Sequence, residues 1–216
     1  MASTKKKLIV TDVDNVVVIP DAKWIAEAFK KKVIFNRIKN WSIVHAAFGG
    51  KEEFIKAVMG RLIYDIPEWL GLPDIARGTF MKAYTDNETF YRGLPLTKFG
   101  NELLLRNNGN KIVFVSHVLG GASDQSRYDW IHDTFKNTDF VYEAVDINEA
   151  KSKIISQMYG DFDVFIDDAP ANLMDVMEQC GNESKEFLFP SYGYNQGLIF
   201  SAKQLAEEKK FSLRTY

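Results

Sequence analysis

The chain has 216 residues, of which 46% are hydrophobic and 26% are charged, a balance typical of a soluble globular protein rather than of a disordered or fibrous one. Its 27 Lys and Arg residues against 29 Asp and Glu residues give a net charge of −2. That argues against binding to duplex nucleic acid, which normally requires a strong basic excess. The single cysteine, Cys180, excludes an intrachain disulfide framework and a multi-cysteine zinc site.

The N-terminal residues have no pattern of a targeting segment. Basic residues up to Lys7 are followed by a short apolar run that Asp12 interrupts, so we expect no secretory signal. No later stretch reaches the roughly 18 consecutive apolar residues of a membrane span. We therefore expect a cytoplasmic protein without a membrane partner, and a homodimer stays open.

The first element in chain order is a strand. The run from Leu8 to Val10 is short, apolar and rich in β-branched residues, which predicts a buried strand of a parallel sheet. Asp12 and Asp14 follow it and should emerge at the edge of the sheet, because carboxylates are costly inside it. Helical spacing then predicts helices over 21–32, 41–48, 51–64 and 81–91, with Gly78 as an interruption. We interpret residues 21–92 as an all-helical insertion.

An alternation of strands and helices returns at residue 93. The predicted strands are 111–115, 140–142, 163–166 and 186–189, and the predicted helices are 98–106, 126–135, 149–159 and 171–180. This rhythm is typical of a doubly wound parallel sheet. We therefore predict an α/β fold: a Rossmann-like core domain of residues 1–20 and 93–216, with a helical domain of residues 21–92 inserted after the first strand.

Polar residues follow three of the predicted strands. They are Asp12 and Asp14, Ser116, and Asp167 and Asp168. Ligands of open α/β sheets bind beyond the carboxyl ends of the strands, so these side chains converge if the strands are neighbours. A lysine at the start of the preceding helix could reach the same place. Lys151 and Lys153 both qualify, and we prefer Lys151 because it opens the helix.

Such a cluster has a definite chemistry. Carboxylates at one edge repel each other and need a cation, and oxygen-only ligands favour Mg²⁺ over zinc. Magnesium, a lysine and a hydroxyl donor together make a phosphate-binding site. One carboxylate can attack the phosphorus and form an acyl-phosphate, and a second can protonate the leaving oxygen and then activate water.

These residues carry a resemblance to a known family. The segment Asp12 to Asn15, Ser116, Lys151 and the pair Asp167-Asp168 resemble, in order and in predicted context, the four motifs of the haloacid dehalogenase-like phosphatases. The resemblance covers residues 5–20 and about 93–195, and the insertion falls where that family places its helical cap. Two features depart from the family pattern: Asn15-Val16 follows Asp14, where Asp-Gly-Thr is common, and Thr11 stands where an aromatic residue is common.

The resemblance implies a role for each motif residue. Asp12 would be the nucleophile, and Asp14 the general acid and base. Ser116 would bind the phosphoryl oxygens, and Lys151 would neutralise charge in the transition state. The residues that would hold Mg²⁺ are Asp12, Asp14 through its backbone carbonyl, Asp167, and Asp168 directly or through water.

The substrate is predicted by a finer resemblance. The opening from Asp12 to Val16, the aromatic residues of the insertion and the segment Tyr192 to Asn195 resemble the 5'-deoxynucleotidase branch. This implies a (deoxy)nucleoside 5'-monophosphate whose base stacks on a cap aromatic, with His117 as a further substrate contact. A catalytic or purely structural His117 stays open.

Other functions also stay open. The phosphate could belong to a sugar, another small metabolite or the 3' end of a nucleic acid. The chain could instead be a catalytically silent nucleotide-binding protein. Taken singly, the strand-end aspartates could be helix caps, and Ser116 could be a simple turn residue.

Overall fold

The computed structural model describes residues 6–39, 66–105, 109–192 and 195–216. The helices predicted over 41–48 and 51–64 lie outside these ranges.

The described residues form one parallel sheet of six strands in the order β3-β2-β1-β4-β5-β6. The strands are β1 (Leu8–Thr11), β2 (Lys111–Val118), β3 (Asp139–Asp146), β4 (Val164–Ile166), β5 (Glu186–Phe189) and β6 (Ser212–Thr215). β1 lies between β2 and β4, with Thr11 level with both Phe114 and Ile166. The three strands with polar carboxyl ends are therefore neighbours, and the predicted α/β Rossmann-like fold is confirmed.

Helices connect these strands in the described part of the chain. Those in the range of the predicted insertion are α1 (Asp21–Phe29), α2 (Lys32–Phe35), α3 (Ile66–Trp69) and α4 (Asp74–Thr85). The others are α5 (Lys98–Leu105), α6 (Ala122–Phe135), α7 (Lys151–Met158), α8 (Pro170–Cys180) and α9 (Ile199–Lys209), with a short 3₁₀ turn, Gln196–Leu198, before α9.

Some predicted boundaries were wrong for identifiable reasons. β2 continues beyond Val115 because it pairs residue by residue with β3 as far as Val118. The helix α4 passes through Gly78, because Ala76 and Phe80 on either side of it are buried in one apolar cluster. That cluster compensates the roughly 1 kcal/mol cost of a helical glycine. α9 and β6 were not predicted, and β6 lies at the edge of the sheet beside β5.

The apolar core formed by the described residues has three parts. The two faces of the sheet separate by the alternation of the strands, so that Val113 and Val115 pack on one face and Ile112 and Phe114 on the other. The helices α1 to α4 surround a third cluster of their own. Its members include Ile25, Ala28, Ile34, Leu70, Ala76 and Phe80. Three aromatic residues near the end of the insertion range, Tyr84, Phe90 and Tyr91, belong instead to a cluster of the sheet.

Candidate active site

The sheet places two aspartates side by side. Asp12 directly follows β1, and its backbone N–H donates to the carbonyl of Ile166 at 2.9 Å. Asp167 directly follows β4. The carboxylate oxygens of Asp12, Asp167 and Asp168 lie within 4.8 Å of one another, and all three residues are buried. These are three of the strand-end residues selected from the sequence.

The turn after Asp14 explains one departure from the family pattern. Asn15 has a φ of 60°, in the left-handed region that asparagine adopts more readily than most residues. Its N–H donates to the carbonyl of Val18 at 2.7 Å, and its own carbonyl accepts from the hydroxyl of Tyr192 at 2.5 Å. The asparagine therefore suits a sharp reversal that leads the chain away from the carboxylates.

Lys151 lies between two of these carboxylates. Its Nζ is 3.0 Å from Asp12 Oδ1 and 2.7 Å from Asp167 Oδ2, and the residue is 1% exposed. Burial alone would lower the pKa of Lys151, but the two carboxylates outweigh it and raise that pKa. Burial raises the pKa of Asp167, and Lys151 opposes that rise. Lys153 is exposed and pairs instead with Glu149 at 2.9 Å.

The two oxygens of Asp12 have different surroundings. Oδ1 accepts a hydrogen bond from the N–H of Val13 at 2.7 Å and is the oxygen that faces Lys151. Both contacts therefore fall on Oδ1. Among the described residues, Oδ2 has no such partner, so it is the oxygen open to another group.

Two asparagines hold the Asp167-Asp168 turn: Asn172, which the sequence did not single out, and Asn195, which was selected only as the end of the segment that begins at Tyr192. Asn172 Nδ2 lies 3.3 and 3.2 Å from the two carboxylate oxygens of Asp167, and the N–H of Ala169 donates to Asp167 Oδ1 at 2.8 Å. Asn195 Nδ2 donates to the backbone carbonyl of Asp168 at 2.9 Å. The position of Asn172 in the first turn of α8, directly after the strand end, is the signal that could have identified it.

Asp14 is outside the carboxylate group and has other partners. Its Oδ2 is 2.9 Å from an Nη of Arg127, and the hydroxyl of Tyr91 donates to the carboxylate at 2.8 to 2.9 Å. Burial raises the pKa of Asp14, while the guanidinium of Arg127 opposes the rise. Asp14 is thus paired with a different cation from Asp12.

Arg127 also contacts the end of β2. It donates to Ser116 Oγ at 3.1 Å and to the carbonyl of His117 at 2.8 Å. Ser116 is buried, whereas His117 is half-buried and its Nε2 lies 2.9 Å from the carbonyl of Glu149. Since a carbonyl only accepts, His117 Nε2 carries a proton in this arrangement. Arg127 was missed because α6 begins at Ala122, one turn before the predicted start, and a single helical arginine normally indicates a solvated face.

A cavity of about 650 Å³ opens above these residues. Asp12, Asp14, Ser116 and His117 line its floor, and its apolar walls come from both the insertion range and the loops after β2 and β3. The wall residues are Trp24, Ile66, Pro67, Met81, Tyr84, Leu119 and Ile147. A larger cavity of about 880 Å³ near Phe99 and Tyr216 contains none of the motif residues. The smaller cavity is therefore the candidate active site.

No protein-family model and no curated protein matches the chain, but several solved structures do. A haloacid dehalogenase-like hydrolase from Streptococcus pneumoniae superposes with a TM-score of 0.55 at 10% identity, over 99% of this chain and 95% of that one. A Clostridium difficile protein named as a candidate phosphatase gives 0.56 at 11% identity, over 99% and 96%. A Thermotoga maritima protein named as a candidate beta-phosphoglucomutase gives 0.52 at 12% identity, over 97% and 94%. The chain thus has the α/β fold of the haloacid dehalogenase-like proteins.

Proposed function

We propose that the chain is a Mg²⁺-dependent phosphomonoesterase that acts through an aspartyl-phosphate. The observation that carries this proposal is the buried cluster of Asp12, Asp167 and Asp168. Lys151 lies between Asp12 and Asp167, and Ser116 lies at the end of the neighbouring strand. A nucleophilic carboxylate beside a lysine, a hydroxyl and a potential metal site is the equipment that phosphoryl transfer needs.

The residues present fit Mg²⁺. One carboxylate oxygen from each of the three buried aspartates lies within 4.8 Å of the others, and Lys151 pairs with two of the three, so a divalent cation would relieve their repulsion. All the donors are oxygen atoms, which Mg²⁺ prefers. We propose that Asp12, Asp167 and Asp168 hold the ion, with the backbone carbonyl of Asp14 as a further ligand. When bound, Mg²⁺ would offset negative charge on the phosphoryl group.

The proposed reaction has two steps. Asp12 Oδ2 attacks the phosphorus, and the bond between phosphorus and the leaving oxygen breaks as Asp14 gives that oxygen a proton. Water then attacks the phosphorus of the aspartyl-phosphate, and Asp14 takes a proton from that water. The bond between phosphorus and Asp12 Oδ2 breaks, which releases inorganic phosphate and restores the Asp12 carboxylate. Lys151 and the hydroxyl of Ser116 hold the phosphoryl oxygens in both steps. The assignment to Oδ2 follows from the occupation of Oδ1 by Val13 and Lys151.

The apolar walls of the cavity support an organic substrate with a flat group, and we propose a (deoxy)nucleoside 5'-monophosphate. Trp24 lines the cavity and is itself held by Phe80 and Tyr84, whose ring centroids lie 5.2 and 4.8 Å away. A fixed aromatic ring suits stacking on a base. His117 at the cavity floor would contact the substrate. A sugar phosphate is the second candidate, supported by the name of the Thermotoga structure.

Phosphate release from a panel of monophosphates tests the proposal. The panel contains ribo- and deoxyribonucleoside 5'-monophosphates, 3'-monophosphates, sugar phosphates and an aryl phosphate, each with and without Mg²⁺. We expect Mg²⁺-dependent turnover that favours 5'-mononucleotides. Turnover of sugar phosphates alone would replace the nucleotide by the second candidate. No turnover of any substrate would indicate a catalytically silent nucleotide-binding protein.

The matched control for that panel is the Asp12→Asn variant. It keeps the size of the side chain and removes the nucleophile, so any phosphate that it releases at the wild-type rate comes from a contaminant or from another site.

A further inference from the structure

We propose that Arg127 is a positioning residue, which fixes the directions of Asp14 and Ser116 without itself contacting the substrate. This inference rests on the proposed phosphomonoesterase function. Arg127 is 1% exposed and lies on α6, in the second turn of a helix that carries none of the four motifs. Nothing in the motif pattern assigns it a role.

The hydrogen bonds of Arg127 exhaust its donors. A guanidinium has five N–H groups. Nε donates to the hydroxyl of Tyr91, one Nη to Ser116 Oγ and the carbonyl of His117, and the other Nη to Asp14 Oδ2 and the hydroxyl of Tyr84. Each N–H therefore already has an acceptor. Arg127 borders the cavity, but none of its N–H groups lacks an acceptor in the protein. A phosphate would therefore have to compete with these groups for Arg127, and we assign Arg127 the role of holding them in place.

The two tyrosines complete a network in which each hydroxyl proton has an acceptor. The hydroxyls of Tyr84 and Tyr91 are 3.0 Å apart. The Tyr91 hydroxyl donates to Asp14, so it can only accept from Tyr84 and from Arg127 Nε. Tyr84 in turn accepts from Arg127 and donates to Tyr91. Buried networks that are fully satisfied in this way hold their members rigidly.

The network determines what Ser116 presents to the cavity. Because Arg127 donates to Ser116 Oγ at 3.1 Å, the proton of the hydroxyl must point elsewhere. Ser116 lines the cavity floor, so this proton is available to a phosphoryl oxygen. Without Arg127 the hydroxyl could rotate and lose that direction.

Asp14 is held in a similar way. Arg127 binds its Oδ2 and Tyr91 spans both of its oxygens. The Asp14 side chain remains 24% exposed, and Asp14 lines the cavity. The clamp therefore fixes the carboxylate in the protein, while part of the side chain stays accessible from the cavity.

Two variants test the inference on substrates that differ in their leaving group. Arg127→Met removes all five donors. Tyr91→Phe removes one hydroxyl of the network and keeps the ring, so it still tests the inference if Arg127→Met does not fold. Tyr159→Phe is the matched control: its hydroxyl also donates to a carboxylate, that of Glu143, but it lies outside the network. The substrates are a nucleoside 5'-monophosphate, which needs a proton on its leaving alkoxide, and 4-nitrophenyl phosphate, which does not.

We expect the loss to depend on the leaving group. General acid catalysis contributes about 10²- to 10⁴-fold, so kcat on the nucleotide should fall by about 10²-fold in Arg127→Met and about 10-fold in Tyr91→Phe. Loss on 4-nitrophenyl phosphate should be several-fold smaller, with KM changed by less than about 3-fold in both variants. Tyr159→Phe should match the wild type.

The outcomes are separable. Equal losses of kcat on both substrates, or a rise of KM without a fall of kcat, would overturn the positioning role and make Arg127 a structural or phosphate-binding residue. The same holds if both variants match the wild type. If the wild type releases phosphate from neither substrate, the proposed function fails, and the inference that rests on it falls too.

Discussion

The candidate site contains two buried cations that differ in how much of their binding capacity the protein uses. Lys151 and Arg127 are each 1% exposed, and each joins two strand-end residues. Lys151 joins Asp12 and Asp167, whereas Arg127 joins Asp14 and Ser116. An ammonium has three donors, and a guanidinium has five. Lys151 uses two of its three within the described chain, while Arg127 uses all five.

This difference distinguishes a residue that binds the substrate from a residue that positions other side chains. The third donor of Lys151 has no partner among the described residues, and Asp12 beside it is the proposed nucleophile, so we expect Lys151 to donate to a phosphoryl oxygen directly. Arg127 is suited to act only through its partners. The two cations also differ in where their partners come from. The partners of Lys151 follow strands of the sheet, whereas Arg127 has two partners, Tyr84 and Tyr91, from the range of the predicted insertion.

The largest effect is expected at the nucleophile. Asp12→Asn should reduce turnover by more than about 10³-fold, as removal of a nucleophile does in other enzymes. Mass spectrometry of the acid-quenched wild type should find a phosphate on Asp12 during turnover. A phosphate on Asp14 instead would make Asp14, the partner of Arg127, the nucleophile. That result would contradict the assignment to Asp12, the partner of Lys151.

The next largest effect is expected at Lys151, and the nearby Lys153 is its control. Lys151→Ala should lower kcat by about 10²-fold or more, whereas Lys153→Ala should stay within about 2-fold of the wild type. The reason is that Lys151 is buried between carboxylates and Lys153 forms an exposed pair with Glu149. Comparable losses in both variants would contradict the assignment.

Lys151→Ala should also be less stable. It leaves Asp12 and Asp167 without their buried cation, and breaking a buried ion pair costs on the order of 3–5 kcal/mol. Thermal unfolding of both variants provides this control, and kinetic measurements belong at a temperature at which each is folded.

The effect of Mg²⁺ on stability should be smaller, and it can be measured without turnover. Excess Mg²⁺ should raise the Tm of the wild type, because a ligand at 100 times its Kd stabilises by about 2.7 kcal/mol. Asp168→Asn should reduce the shift. Mg²⁺ binds the ionised carboxylate, and burial raises the pKa of Asp167, so the shift in Tm should shrink as the pH falls. A Tm that is indifferent to Mg²⁺ and to chelator would contradict the metal site.

The smallest expected effect concerns the cavity wall. Base stacking contributes about 1–3 kcal/mol, so Trp24→Leu should raise KM for a nucleoside monophosphate by about 10-fold with little change in KM for a small aryl phosphate. Met81→Leu, also on the wall, is the control without an aromatic ring. An unchanged KM in Trp24→Leu would remove the support for a stacked base.

The residues that could be predicted are those whose place depends on strand order. Asp12, Ser116 and Asp167 each follow an apolar run, and parallel strands end at one edge of a sheet, so their convergence required only that β1, β2 and β4 be neighbours. Lys151 could be selected over Lys153 because it opens a helix. The site roles of these residues and the division into core and cap stay predictions.

Arg127, Tyr84 and Tyr91 could not be predicted in the same way. Each lies in a helix or turn where polar and aromatic residues are ordinary, and each reaches the site only through the packing of that element. The predicted start of α6 at Ser126 and the predicted helix over 81–91 also concealed how Arg127 and Tyr91 face each other. The structure shows instead that α4 ends at Thr85 and that turns carry the chain from there through Tyr91.

The amino-acid sequence alone was enough to establish the α/β class, the parallel sheet and the strand-end carboxylates, because periodicity and polar termination are local properties of a strand. Tertiary structure alone decided which cation meets which carboxylate. The partners of Arg127 are 10 to 113 residues away from it along the chain. Only the packing of α6, the end of the insertion range and the end of β2 brings five acceptors to one guanidinium.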